Sequence, residues 1–121
     1  MAHHIFDFQD RALRMHDADV ALVKHFLELG AKQLGHDSLF TSLSQWEWSG
    51  PGVWINVDEA ALASHPEVFA AAENASAEFG AIVPAQYLRA NIPGLSCASD
   101  RSAELIRNEL QKLSALVRLG T

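Results

Sequence analysis

Apolar side chains recur at helical spacing in the first third of the chain. Those that would share one face of a helix are Met15, Leu22, Phe26 and Leu29. Asp17 would lie near the start of this helix and Lys32 near its end, where each complements the helix dipole. Gly35 stands where a glycine commonly follows the last helical residue. The pattern predicts a helix over 10–34, or two helices that meet near Asp17.

The segment 36–57 fits two arrangements. The side chains that would line a short helix here are Leu39, Leu43 and Trp46, with Asp37 as its cap. In the second arrangement, residues 43–48 and 53–57 form two strands, because Val-Trp-Ile-Asn-Val alternates and is rich in β-branched side chains. A Ser-Gly-Pro-Gly turn over 49–52 would join the two strands. We favour the hairpin, preceded by a short helical turn.

Pro66 and Gly80 bound the next predicted helix. Proline suits the first helical position, and glycine commonly follows the last one. The apolar stripe between them consists of Val68, Ala72, Ala75 and Phe79. The many alanines in this segment are small enough to let another element approach the helix closely. A brief helix over 84–91 follows, before Pro93 and Gly94.

The last helix carries a wide apolar face. Its stripe consists of Ile106, Leu110, Leu113 and Val117. Ser99 or Asp100 would open this helix and Gly120 would end it. The composition, 49% apolar and 20% charged, is ordinary for a globular protein, and 121 residues suit one domain. We therefore predict a mainly α fold, a compact bundle of about four to five helices with one small β-hairpin (about 43–48 and 53–57), in a single globular domain over 1–121.

The sequence contains no segment that would cross a membrane. Its apolar runs are shorter than the 18 or so residues that a span needs. The first ten residues lack the basic and apolar regions of a secretory signal. Cys97 is the only cysteine, so no disulfide can form within the chain. These features predict a cytoplasmic protein that does not contact membranes.

Charge is distributed unevenly along the chain. No lysine or arginine lies between Lys32 and Arg89, whereas seven acids do. These acids are Asp37, Glu47, Asp58, Glu59, Glu67, Glu73 and Glu78. The whole chain has a formal charge of −6, so this acidic stretch carries −7 and the two ends together carry +1. The asymmetry indicates a surface that would attract a basic partner, unless it is simply a solvated face.

The sequence shows no pattern that is specific for catalysis or for metal binding. No two of the six histidines are three or four residues apart, the spacing that places two ligands on one helical turn. His36 beside Asp37, and His65 near Glu67, are isolated pairs. No nucleophile elbow or glycine-rich phosphate loop is present. We therefore predict no catalytic residue, no metal site and no cofactor.

Three tryptophans fall within the acidic stretch, at Trp46, Trp48 and Trp54. Tryptophan is enriched among the residues that dominate protein–protein interfaces. A two-stranded ribbon, however, must pack on helices to be stable, so the rings could instead fill the core. We expect at least two of the three to be core residues.

The net negative charge disfavours nucleic-acid binding, which requires lysines and arginines to displace phosphate counterions. We hypothesise a non-catalytic intracellular protein-binding module, such as an inhibitor, immunity protein or antitoxin, that occludes a basic surface of its partner. The predicted contact residues are Glu47, Trp48, Trp54, Asp58, Glu59 and Glu67. Acids would steer the partner in, and a tryptophan would anchor the contact.

Two alternatives accompany this hypothesis. The chain could be a small enzyme or small-molecule-binding domain whose pocket is lined by tryptophans and by His36 or His65. A homodimer could also form through the wide apolar face of the last helix. That face is too short for a coiled coil, and its burial against the first helix would explain it equally well.

Overall fold

The computed structural model of the protein describes residues 3–8, 11–46, 54–56, 62–92, 95 and 99–118. In these residues the α-helices are α1 (Asp17–Gln33), α2 (Asp37–Ser44), α3 (Glu67–Ala77), α4 (Ala85–Asn91) and α5 (Ala103–Arg118). The strands are β1 (His3–Phe8), β2 (Arg11–His16), β3 (Trp54–Asn56), β4 (Ile82–Val83) and β5 (Arg101–Ser102). A 3₁₀ turn spans Leu62–Ser64. The prediction of a mainly α fold with four to five helices and one small hairpin is confirmed.

The location predicted for the hairpin, 43–48 and 53–57, is wrong. The hairpin is formed by β1 and β2, which pair antiparallel, and β3 pairs in parallel with the other edge of β1. A strand at 54–56 was therefore expected correctly, but its partner is the N-terminal strand. Residues 47–53 and 57 lie outside the described residues.

The segment before β3 is helical because its apolar side chains follow the helical period. Leu39 and Leu43 are four residues apart on α2 and both are buried. Trp46, just past the end of α2, is also buried, and its ring meets that of Phe6 on β1 edge-on at 5.1 Å between centroids. The short helix of the first arrangement, which we did not favour, therefore forms.

The first helix begins later than predicted, because residues 11–16 form β2 rather than a helical turn. Along β2 the side chains alternate, with Leu13 and Met15 turned inward and Ala12 and Arg14 exposed. Alternation with period two is the signature of a half-buried strand. Helix α1 then starts at Asp17, and the Nδ1 atom of His16 accepts a hydrogen bond from the backbone N–H of Ala18 at 3.2 Å.

Helices α1 and α3 pack closely where Gly30 faces the alanines of α3. A Cβ atom at Gly30 would lie 2.9 Å from the carbonyl oxygen of Val68 and 3.2 Å from the Cβ of Ala71. This confirms the expectation that the alanines allow another element to approach closely. The core around this contact includes Phe26, Leu27, Leu43, Val68, Leu110 and Leu113, all fully buried.

The start of the last helix was predicted at Ser99 or Asp100 and lies instead at Ala103. The carboxylate of Asp100 accepts a hydrogen bond from the backbone N–H of Ala85 at 2.8 Å, so it caps α4. Residues 101–102 pair with β4 and are therefore extended. The hydroxyl of Ser102 then accepts a hydrogen bond from the N–H of Leu105 at 3.3 Å, in the first turn of α5.

The apolar stripe of α5 is buried within the chain itself. Its members, Ile106, Leu110, Leu113 and Val117, are at most 2% exposed. Leu105 on the same helix is exposed. None of the described helices is long and apolar enough to cross a membrane.

Candidate functional site

One of the six predicted contact residues can be placed with its side chain. Glu67 is the first residue of α3 and is exposed. Trp54 is the first residue of β3, where it pairs with Ile5 of β1. Glu47, Trp48, Asp58 and Glu59 lie outside the described residues. The expected role of these residues in partner binding therefore stays a prediction.

The position of His36 is fixed by the turn that joins α1 to α2. The N–H of His36 donates to the carbonyl of Ala31 at 2.9 Å, and the N–H of Gly35 donates to the carbonyl of Lys32 at 3.2 Å. With Gly35 at a φ of 77°, this is the Schellman arrangement that ends many helices. His36 then serves as the N-cap residue of α2, and its carbonyl accepts from the N–H of Phe40. Two helix ends thus hold this histidine.

A second turn positions His65 and Glu67. The N–H of His65 donates to the carbonyl of Leu62 at 3.1 Å, which closes the 3₁₀ turn. The carbonyl of His65 accepts from the N–H of Val68 at 3.1 Å, at the start of α3. Pro66 lies between them with helical dihedral angles, within one residue of its predicted role at the first helical position.

The two turns bring His36, His65 and Glu67 together on the surface. The Oε1 atom of Glu67 lies 3.1 Å from Nε2 of His36 and 3.3 Å from Nδ1 of His65. The two imidazole rings lie 4.3 Å apart between centroids and are tilted by 34°. The side chains are 28%, 33% and 48% exposed for His36, His65 and Glu67, so solvent reaches all three. We call this group the His–His–Glu cluster.

The carboxylate of the cluster is held in its ionised form. A hydrogen bond with its own backbone N–H lowers the pKa of Glu67 from the usual value, and the hydrogen bonds with His65 and His36 lower it further. Burial raises the pKa of Glu67, but by less than the backbone hydrogen bond lowers it. Glu67 therefore offers a negative charge at the start of α3, which the helix dipole favours.

Sequence spacing could not reveal the cluster as a whole. His65 and Glu67 are two residues apart, but His36 approaches them from a different turn, so no i, i+3 or i, i+4 pattern exists. The ligand atoms of the three side chains lie within 4.8 Å of one another, which is close enough for one metal ion. One part of the cluster was visible in the sequence, since His65 and Glu67 flank Pro66, a residue typical of a helix start.

Two of the other histidines, His16 and His25, stabilise the fold. His16 caps α1, as noted above. His25 is a residue of α1, and its Nε2 atom forms a hydrogen bond of 2.8 Å with the hydroxyl of Tyr87 on α4. Burial, and to a smaller extent the nearby Lys24, lowers the pKa of His25 to about 4. His25 is therefore neutral at physiological pH.

The expected pocket lined by tryptophans and by His36 or His65 stays a prediction, because Trp48 and the side chain of Trp54 lie outside the described part of the structure. Trp46 is a core residue. That at least two of the three tryptophans are core residues stays a prediction, since the side chains of Trp48 and Trp54 are outside the described residues. An open groove does run between α3 and the start of α5, and its charged lining residues are Glu73, Glu104 and Arg107. The remaining lining residues are serine, alanine and glycine.

Comparison with protein-family models, with curated proteins and with solved structures found no match. The candidate site therefore has to be judged on its own geometry.

Proposed function

We propose that the chain is a non-catalytic protein-binding module that occludes a basic surface of its partner, in the manner of an inhibitor, immunity protein or antitoxin. The observation that carries this proposal is that Glu67 and Glu73, inside the acidic stretch, have no lysine or arginine partner among the described residues, whereas two acids outside it do. Outside the acidic stretch, Glu28 contacts Lys24 at 3.3 Å and Glu109 contacts Lys112 at 2.8 Å.

Inside the acidic stretch, the described contacts of the acids are of another kind. Glu67 contacts the two histidines of the cluster, and Glu73 accepts a hydrogen bond from the side-chain amide of Gln111 at 3.1 Å. In the described part of the chain, neither acid has a lysine or arginine within ion-pair distance. Charges that no lysine or arginine compensates produce a field that attracts a basic molecule.

The proposed mechanism has two parts. Exposed acids of α2 and α3, such as Asp37 and Glu67, raise the rate of encounter with a basic partner. Trp48 or Trp54 then anchors the contact, and Glu47, Asp58 and Glu59 extend the acidic surface. In this proposal the protein acts in the cytoplasm and binds no nucleic acid. A homodimer could form through α5, because Leu105 on this helix is exposed.

Affinity capture from the source lysate tests the proposal. The tagged chain is incubated at low salt, eluted with a salt gradient, and the retained proteins are identified by mass spectrometry. We expect one basic protein, retained in a fixed ratio to the chain and released by salt, because screening weakens attraction between exposed charges. Retention of nothing, or of an acidic protein that salt does not release, would contradict the proposal.

Charge-reversal variants then locate the surface on the chain. We expect Asp37→Lys and Glu67→Lys each to weaken binding of the captured partner at least about tenfold, the effect of roughly 1.4 kcal/mol. Glu104→Lys is the matched control, because Glu104 is also an exposed acid in the first turn of a helix but lies outside the acidic stretch. Equal losses in all three variants would show that net charge, and not the acidic surface, governs binding.

A further inference from the structure

We propose that His36, His65 and Glu67 bind one divalent first-row transition-metal ion, and that Zn²⁺ fits this site best. The ion would be bound by Nε2 of His36, Nδ1 of His65 and Oε1 of Glu67, the atoms that already converge in the structure. The remaining coordination position would face solvent and hold water, since all three side chains are partly exposed.

Two of the three distances between these atoms match those around a bound zinc ion, and the ligand atoms of the two histidines lie within 4.8 Å of each other. Zinc lies about 2.0–2.1 Å from imidazole nitrogen and carboxylate oxygen in tetrahedral sites, which places neighbouring ligand atoms roughly 3.3 Å apart. The observed separations from Oε1 of Glu67 are 3.1 Å and 3.3 Å. A metal ion could therefore enter with only small movements of the side chains.

The donor set selects the class of ion. Two imidazoles and one carboxylate suit zinc and neighbouring transition metals, whereas Mg²⁺ and Ca²⁺ prefer oxygen ligands alone. Each imidazole would bind through a nitrogen without a proton, so the ring proton would lie on Nδ1 of His36 and on Nε2 of His65.

The backbone holds the ligands in place before any ion arrives. The Schellman turn fixes His36, and the 3₁₀ turn with Pro66 fixes His65 and Glu67. The starts of α2 and α3 are partly positive and oppose a cation, and the ionised Glu67 counteracts this effect. Since the ligands come from two turns, a bound ion would connect the start of α2 to the start of α3 and stabilise the folded state.

A zinc titration of the full chain tests the proposal. His3→Ala and His4→Ala are included in every variant, because adjacent histidines near the N-terminus could bind zinc separately. Isothermal titration calorimetry is carried out on this background and on His36→Gln, His65→Gln and Glu67→Gln. We expect one equivalent to bind the background chain and each of the three substitutions to weaken binding at least about 100-fold, more than the 10–100-fold typical of outer-sphere partners.

The matched control is Glu104→Gln, which removes an equally exposed helix-start carboxylate and should leave zinc affinity unchanged. On the background chain itself, NMR should show the ring signals of His36 and His65 shifting with one equivalent of zinc while those of His25 do not. Ring signals that stay unchanged, or affinity that is equal in all variants, would overturn the proposal even if a variant folds poorly.

The metal site and the partner surface can fail separately. His36→Gln removes a metal ligand but leaves every acid of the acidic stretch in place. Loss of zinc binding with unchanged partner affinity in this variant would mean that the two functions are independent. A chain that binds a basic partner but no zinc would overturn the metal site alone.

Discussion

At the scale of single residues, Gly30 shows how a position without a side chain can limit the fold. Two effects compete when it is replaced by alanine. Alanine is the better helix former by roughly 1 kcal/mol. The new Cβ, however, would lie 2.9 Å from the carbonyl oxygen of Val68, a backbone atom that can move only if α1 and α3 separate.

We expect the clash at Gly30 to outweigh the gain in helix propensity. Overpacking a tight contact costs about 1–3 kcal/mol. Gly30→Ala should therefore lower the free energy of unfolding by up to about 2 kcal/mol, which urea denaturation would measure. An increase in stability would mean that α1 and α3 are less closely packed than the structure indicates.

The second prediction at this scale concerns the pH dependence that His25 confers. The pKa of its ring is near 6.5 in the unfolded chain and about 4 in the folded one. Between these values the unfolded state binds more protons, so stability falls as the pH is lowered from 6.5 to 4 and is unaffected by this group above 6.5. The slope is at most about 1.4 kcal/mol per pH unit, and less because the ring is partly exposed.

Comparison with a His25→Phe variant isolates this contribution. The difference in unfolding free energy between the two proteins, measured in urea at several pH values, should shift in favour of the variant as the pH falls below 6.5. Other groups, such as Asp19 with its raised pKa, titrate in both proteins and cancel. A difference that is independent of pH would contradict the assignment of a buried neutral His25.

At the scale of elements, the helices were predictable where a full apolar stripe lies between local start and stop signals. The stripe from Val68 to Phe79 lies between Pro66 and Gly80, and all of it except Phe79 belongs to α3. The N-terminal strands were missed because the segment that forms β2, the hairpin partner of β1, was predicted to begin the first helix. In β2, Met15 fits the helical spacing with Leu22 as well as the alternation of a strand.

The candidate metal cluster was missed for a related reason. Its residues come from two turns whose approach depends on the packing of α1 against α2 and α3, and spacing along the chain does not encode that. The caps show the same effect on a smaller scale. Asp100 was expected to start α5, but its carboxylate accepts a hydrogen bond from Ala85 instead.

Removal of this long-range cap provides the prediction at the scale of elements. Asp100→Ala leaves the N–H of Ala85 without its acceptor and should cost about 0.5–2 kcal/mol, the usual effect of a lost helix cap. Amide hydrogen exchange should accelerate across α4 more than across α5. Asp100→Asn, which keeps the acceptor oxygen, is the control and should lose less.

At the scale of the whole molecule, the main feature is the separation of charge. The two ends of the chain supply the lysines and arginines, whereas α2, the 3₁₀ turn and α3 come from a stretch that has none. Two acids of this stretch, Glu67 and Glu73, contact histidine and glutamine. In the proposed function, the acids of this stretch form the surface that a basic partner neutralises.

The most direct test of this proposal is the rate at which the captured partner associates with the chain at different ionic strengths. Stopped-flow measurements between about 50 mM and 500 mM salt span the range in which the Debye length falls well below 10 Å or so. Steering by the acidic surface predicts an association rate constant that falls at least about tenfold over this range, and a weaker dependence for Asp37→Lys. A rate constant that does not change with salt would contradict recognition by charge.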